Sequence, residues 1–159
     1  MSVEERPAKD LTNDLMVGGY RLLLDRRYHA DDHTWARQEG DLIRVGLDDL
    51  GQATTGDLAQ IVLRRAGERV RHGEELGTLE AQKYVGPLRS PVCGEIVATN
   101  EAAARGPRVV NEDPYGLGWL VLLRPQEHDD LAGLVGPDEA PAWFAKKADG
   151  FRREGVLAE

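Results

Sequence analysis

With only one cysteine, Cys93, the chain cannot form an intramolecular disulfide, so a packed core has to hold the fold together. A lone thiol also suits a reducing compartment. Long apolar runs are missing too. The longest, Trp119-Leu120-Val121-Leu122-Leu123, is far short of the roughly 20 residues that span a bilayer. The start, Met1-Ser2-Val3-Glu4-Glu5-Arg6, lacks the basic and apolar regions of a secretory signal and is too acidic for a transit peptide. A cytoplasmic protein with no membrane partner is the expectation. Positive charge is in deficit: 20 Lys and Arg against 28 Asp and Glu leave a net charge of −8. That argues against sequence-independent binding of nucleic acid or anionic lipid, which needs a concentrated basic surface. An acidic chain can dock instead on basic patches of protein partners, with salt weakening the encounter.

What is present describes an ordinary globular domain. At 159 residues with 41% hydrophobic content, the chain can bury a core of its own. Residues 1–19 read as an N-terminal arm, 20–125 as one β domain, and 126–159 as a linker and a helix packed on that domain. Within the domain, Tyr20–Leu24, Asp41–Leu47, Gly56–Leu63 and Trp119–Leu123 are strand candidates, and residues 66–73 supply a turn, a short edge strand and another turn. In Leu58–Leu63 simple alternation sends Leu58, Gln60 and Val62 one way and Ala59, Ile61 and Leu63 the other. Asp48–Gln52 makes a helical turn with an aspartate near its start, and Glu101–Arg105 is a second short helix ending at Gly106-Pro107. Asp113-Pro114-Tyr115-Gly116 is a turn. In the tail, Asp138 is the expected cap and Pro141 sits in the first turn. Ala140, Trp143, Phe144, Ala148 and Phe151 form the buried stripe.

Two segments resemble one another. Gly56-Asp57-Leu58 and Gly94-Glu95-Ile96 each open with glycine and an acid and continue as an apolar strand. Two such units around a central hairpin imply two antiparallel sheets related by a pseudo-two-fold axis, a mainly β barrel-sandwich with short peripheral helices.

That hairpin is the centre of the sequence. Glu74–Glu80 is extended, with Leu76, Thr78 and Glu80 read on one face and Leu79 on the other. Tyr84–Val92 is extended and broken by prolines, as at a sheet edge. Gln82 and Lys83 lie between, with no evident packing role. A surface lysine is by default only solvated. One held at a tight turn on a rigid base also has the geometry by which a modifying enzyme selects one lysine among several.

Glu80-x-x-Lys83, followed by Ser90-Pro91-Val92-x-Gly94-Glu95-Ile96, resembles the lipoyl-lysine hairpin of glycine-cleavage H proteins, within the lipoyl and biotinyl carrier superfamily. The resemblance extends over about residues 28–124. It takes in Tyr28, His33-Thr34-Trp35, Val45-Gly46-Leu47, Gly56-Asp57 and the specific element Asn111-Glu112-Asp113-Pro114-Tyr115-Gly116-Leu117-Gly118-Trp119. It implies a non-catalytic carrier with lipoic acid joined covalently to Lys83. Glu80 would be an acidic handle for the lipoate-attaching enzyme, and Gly94 would allow its close approach. The implied partners are glycine decarboxylase, the folate-dependent aminomethyltransferase and dihydrolipoamide dehydrogenase.

Around the lysine, Tyr84-Val85-Gly86-Pro87-Leu88 departs from the small and acidic residues usual there, and the chain continues past the usual end. These departures resemble the H-like lipoate-binding proteins of bacterial sulfur oxidation. The expectation therefore leans to sulfur transfer with a heterodisulfide-reductase-like complex, with glycine cleavage as the alternative. Three other classes fit the residues less well. A biotin carrier would show methionines beside the lysine. A hydrolase built on Cys93 with His29, His33, His72 or His128 has no spacing motif behind it, and Cys93 reads as a small buried hydrophobe. An unmodified barrel serving as a scaffold would keep the fold without the arm. His29 and His33 read as solvated, with no third ligand placed to complete a metal site.

Overall fold

The computed structural model describes residues 13–126 and 131–157, so most of the expected arm, and His128, lie outside the described residues. In chain order the elements are β1 (Asp14–Val17), β2 (Tyr20–Leu23), β3 (Arg27–Tyr28), β4 (Thr34–Glu39), β5 (Leu42–Leu47), α1 (Asp49–Thr55), β6 (Leu58–Leu63) and β7 (Arg69–Val70). They continue with β8 (Glu75–Ala81), β9 (Val85–Arg89), β10 (Gly94–Thr99), α2 (Glu101–Arg105), α3 (Arg108–Glu112), β11 (Val121–Pro125) and α4 (Ala140–Arg153).

Among the described residues the strands form three antiparallel sheets. One is the β1–β2 hairpin, one has six strands in the order β3-β4-β5-β11-β10-β7, and one has three in the order β6-β8-β9. The two larger sheets carry the expected barrel-sandwich. The similar segments β6 and β10 fall one in each of them. The β1–β2 hairpin is a correction, because β1 lies inside the stretch read as an arm; its Met16–Arg21 and Val17–Tyr20 pairings close on Gly18-Gly19.

Ile43, Val45, Ile61, Leu76, Leu79, Leu88, Ile96 and Leu123 fill the space between the sheets. Two irregularities override the simple alternation read in β6 and β8. A register shift between Leu58 and Gln60 lets Leu58 and Ile61 both turn inward and leaves Val62 exposed. A second, between Glu75 and Gly77, brings Leu76 to the buried side with Leu79, while Thr78 and Glu80 face out. A bulge inserts one residue and so flips the faces that follow it, which a period of two cannot anticipate. Pro87 is tolerated because β9 is the sheet's edge strand.

A second core lies under α4, where Tyr28, Trp35, Leu50, Tyr115, Phe144 and Leu157 are buried together. Burial of Ala140, Phe144 and Ala148 agrees with the stripe read in the tail. The cap position of the helix is Glu139 rather than Asp138, with no side-chain cap hydrogen bond, and Pro141 occupies the first turn. The preceding segment is more than a linker, since Val135 exchanges backbone hydrogen bonds with Tyr28 at 3.1 and 2.8 Å. β11 begins at Val121, two residues later than read, and lies inside its sheet between β5 and β10.

Candidate functional site

The β8–β9 hairpin ends in Gln82-Lys83-Tyr84, closed by the Ala81 amide donating to the Tyr84 carbonyl at 2.8 Å. Lys83 is exposed, as expected, but the tip does not hang free. The Gln82 amide donates to the Asp57 carbonyl (3.0 Å) and the Lys83 amide to the Thr55 carbonyl (2.9 Å). The tip is thereby bound to the junction of α1 and β6. Asp48 fixes the start of α1, its Oδ1 accepting from the Gly51 amide at 2.8 Å. Gly56 ends the helix at φ 86°, ψ −170°, a conformation open essentially to glycine alone. A Cβ on Gly56 would lie 3.1 Å from Gln82 Cβ and 3.3 Å from Lys83 Cγ, so the tip rests directly on this residue.

Behind the junction stands Asn111. The Leu58 amide donates to its Oδ1 at 2.9 Å, and its Nδ2 donates to the Gly56 carbonyl (2.9 Å) and to Gln52 Oε1 (3.0 Å). Neighbouring residues of the same element brace other parts of the frame. The Pro114 carbonyl accepts from Trp35 Nε1 at 3.0 Å. The Tyr115 hydroxyl donates to the Arg21 carbonyl (2.7 Å) and accepts from the Asp49 amide (3.1 Å). The Arg44 guanidinium lies 4.5 Å above the Trp119 ring. Burial raises the pKa of both Tyr28 and Tyr115, so these phenols stay protonated at neutral pH. The specific Asn-to-Trp element is therefore a scaffold that ties α3, α1 and β6 under the lysine.

Beside the tip is a recess of about 320 Å³ bordered by His33, Thr55, Leu79, Tyr84, Arg89 and Phe151. His33 corrects the expectation of a solvated ring. It is 4% exposed at φ 58°, its Nδ1 lies 2.9 Å from Asp48 Oδ2, and its ring stacks on Trp143 at 5.3 Å. Its Nε2 has no hydrogen-bond partner among the described residues. His29 is half-buried, accepting from the Asp32 amide at 3.0 Å, with its ring 5.4 Å from that of His72. Among the described residues no group of three or more His, Cys, Asp and Glu could hold a metal ion. Cys93 is only half-buried, and its Sγ accepts from the His72 amide at 3.3 Å.

The three residues singled out in sequence separate here. Glu80 lies on the exposed face of β8, paired across the sheet with Gln60 and Val85 and three residues from Lys83. Gly94 is buried in the other sheet. A Cβ there would meet the Arg124 carbonyl oxygen at 2.5 Å, so the close approach of the paired strand β11 by itself calls for glycine here. Thr55, Gly56, Asp57 and Asn111 went unread as supports of the lysine. The Gly56-Asp57 and Asn111 matches marked them, but only the fold joins residues so far apart in the chain. The site fits a covalent group joined through an amide: an exposed primary amine on a tethered tip, with an open recess at its side.

The glycine cleavage H-protein family profile matches residues 26–147. A probable glycine cleavage system H protein of Natronomonas pharaonis is 40% identical over 121 residues, 76% of this chain and 94% of that one. The glycine cleavage system H protein of Rubrobacter xylanophilus is 44% identical over 107 residues, covering 67% and 82% of the two chains. Among solved structures, a glycine cleavage system H protein from Mycobacterium marinum superposes with a TM-score of 0.69 at 32% identity, covering 79% of this chain and 98% of that chain.

These similarities do not support the lean to sulfur oxidation or its heterodisulfide-reductase-like partner, and they favour the glycine-cleavage alternative. The departures after Lys83 have a local account instead. The Tyr84 hydroxyl donates to the Pro87 carbonyl at 2.7 Å, and its ring folds over Gly86, where a Cβ would stand 2.8 Å from that hydroxyl. Tyr84 thus shapes the recess wall, and burial raises its pKa. With the profile spanning most of its length, the chain belongs to the glycine cleavage H-protein family, whose members carry lipoate covalently on a lysine.

Proposed function

We propose that this chain is a non-catalytic carrier of the glycine cleavage system, and that Lys83 is its point of lipoate attachment. The observation that carries the reading is the tethered tip: both backbone amides beside the exposed amine are bound to the α1–β6 junction. A modifying enzyme then meets the amine in one defined place, and the ordering cost of presenting it has been met on folding. Glu80 offers an acidic contact on the exposed face of the same hairpin. Gly94 acts at a distance, by letting the six-stranded sheet close.

Lys83 would hold lipoate through an amide at its Nζ, and the group would supply a cyclic disulfide that serves both as electron acceptor and as attachment point for the aminomethyl unit left when glycine loses carbon dioxide. The protein supplies the mounting and the recess, and it keeps the mobile end at high effective concentration near successive enzymes. On this reading the partners are the lipoate-attaching enzyme, glycine decarboxylase, the aminomethyltransferase and dihydrolipoamide dehydrogenase. The acidic surface favours encounter with basic patches on them. The cytoplasm, where thiols stay reduced, suits a dithiol carrier.

The test is glycine-dependent release of carbon dioxide by purified glycine decarboxylase with the lipoylated chain as acceptor. Turnover that saturates with carrier and is absent with Lys83→Arg is expected. A fully lipoylated chain that is not loaded would overturn the glycine-cleavage assignment while leaving the attachment site standing.

A further inference from the structure

The family profile ends at residue 147, but α4 runs on to Arg153 and the chain then turns back. The turn is a closed helix cap. The Gly155 amide donates to the Arg152 carbonyl at 3.1 Å and the Val156 amide to the Phe151 carbonyl at 2.9 Å, with Gly155 at φ +78°. Both flanks are anchored. Leu157, 6% exposed, enters the second core, and Arg152 donates to the Gly18 carbonyl. This turn carries the Val156 carbonyl to Lys83, whose Nζ donates to it at 3.5 Å. Phe151, in the last turn of the helix, borders the recess together with Tyr84 and contacts the His33 ring at 5.5 Å. On its other side the lysine stem rests on Gly56.

We propose that residues 151–157 form a positioning clasp for the Lys83 side chain. The stem lies between Gly56 and the C-terminal turn, and whatever is joined to Nζ leaves the hairpin on the Phe151 side. A backbone carbonyl is suited to this because it serves both states of the nitrogen. The ammonium offers three N–H groups. Amide formation with an activated acyl group from the attaching enzyme releases two protons and expels the activating group, leaving one N–H for the same acceptor. A carboxylate in that place would prefer the charged lysine and resist the change. Gly155 is the residue on which the clasp depends, since its left-handed conformation is accessible to glycine, tolerable for asparagine and strained for a β-branched residue.

The test uses the unmodified full-length chain, so its first half does not depend on lipoate being attached at Lys83; only the second half rests on that reading. A Cβ at Gly155 meets nothing within 4 Å, so Gly155→Val strains the turn without a clash, and Gly155→Asn is the conservative control. Acetylation by a small activated ester is followed by mass spectrometry at Lys83 relative to Lys146, which is exposed on α4. Gly155→Val should raise the Lys83 to Lys146 ratio roughly two- to five-fold, the scale of one lost exposed hydrogen bond, and Gly155→Asn should keep the wild-type ratio. Leu157→Ser, which frees the turn by a second route, should behave like Gly155→Val. Equal ratios in all four proteins would overturn the clasp. In the lipoylated chain, the Lys83 Nζ amide proton should exchange more slowly in the wild type and Gly155→Asn than in Gly155→Val. Uniform exchange would confine the clasp to the unmodified state and overturn its second half.

Discussion

Gly56-Asp57-Leu58 and Gly94-Glu95-Ile96 begin alike, each with a glycine and an acid before an apolar strand, yet their glycines do different work. Gly56 ends a helix in a glycine-only conformation, where a Cβ would meet side-chain atoms of the lysine tip at 3.1–3.3 Å. Gly94 is buried within a strand, where a Cβ would meet the carbonyl oxygen of Arg124 at 2.5 Å. One permits a tip to rest on a junction, and the other permits two paired strands to lie close together. Similarity of pattern thus gives similar strands in two sheets, while function attaches to the copy that the hairpin reaches.

Substituting the two glycines separates these roles. Gly94→Val drives a side chain into backbone that cannot move aside, and should cost roughly 3 kcal/mol, the upper end of overpacking penalties. The loss would be global and visible in the urea midpoint. Gly56→Ala should cost about 2 kcal/mol through backbone strain. Its neighbours at the tip are side chains that can shift, so the damage should concentrate there, with faster amide exchange at Gln82 and Lys83 than in the six-stranded sheet. Equal spread of protection loss in both variants would erase the distinction. Asn111→Ala removes the brace behind Gly56 and should cost about 1 kcal/mol, since the half-buried groups it leaves are partly taken up by water. Its exchange pattern should match that of Gly56→Ala and not that of Gly94→Val.

How much of this was open to reading from residues alone depends on the range of the interaction. Local patterns carried far: the Asp48 cap, the turn at Asp113, the edge position of Pro87 and the buried stripe of α4 all follow from neighbours in sequence. The lysine hairpin stood out through a motif. The inward turn of both Leu58 and Ile61 did not, because a bulge costs one residue and leaves no mark in hydrophobicity. Nor did the burial of His33, which requires α4 to lay Trp143 against it. Asn111 and Val156 act on the tip from 53 and 73 residues away from their partners Leu58 and Lys83, distances over which only the fold connects them.

The smallest expected effect concerns the second core. Burial raises the pKa of both Tyr28 and Tyr115 above the ordinary value of 10.0, so the unfolded chain loses these protons first. Their contribution is fully present below pH 10 and falls as pH rises beyond it. Urea midpoints should be flat from neutrality to about pH 9 and decline by about pH 11. A midpoint that does not decline there would mean that the phenols ionise as readily folded as unfolded.

The central claim is that the braced tip presents Lys83 for lipoate attachment, and the most direct test is the intact mass of the protein from cells that make lipoate, with peptide mapping. A single lipoyl increment on the peptide containing Lys83, absent in a folded Lys83→Arg variant, is the expected result. An increment on another lysine, or none while other lipoyl proteins of the same cells are modified, would contradict it.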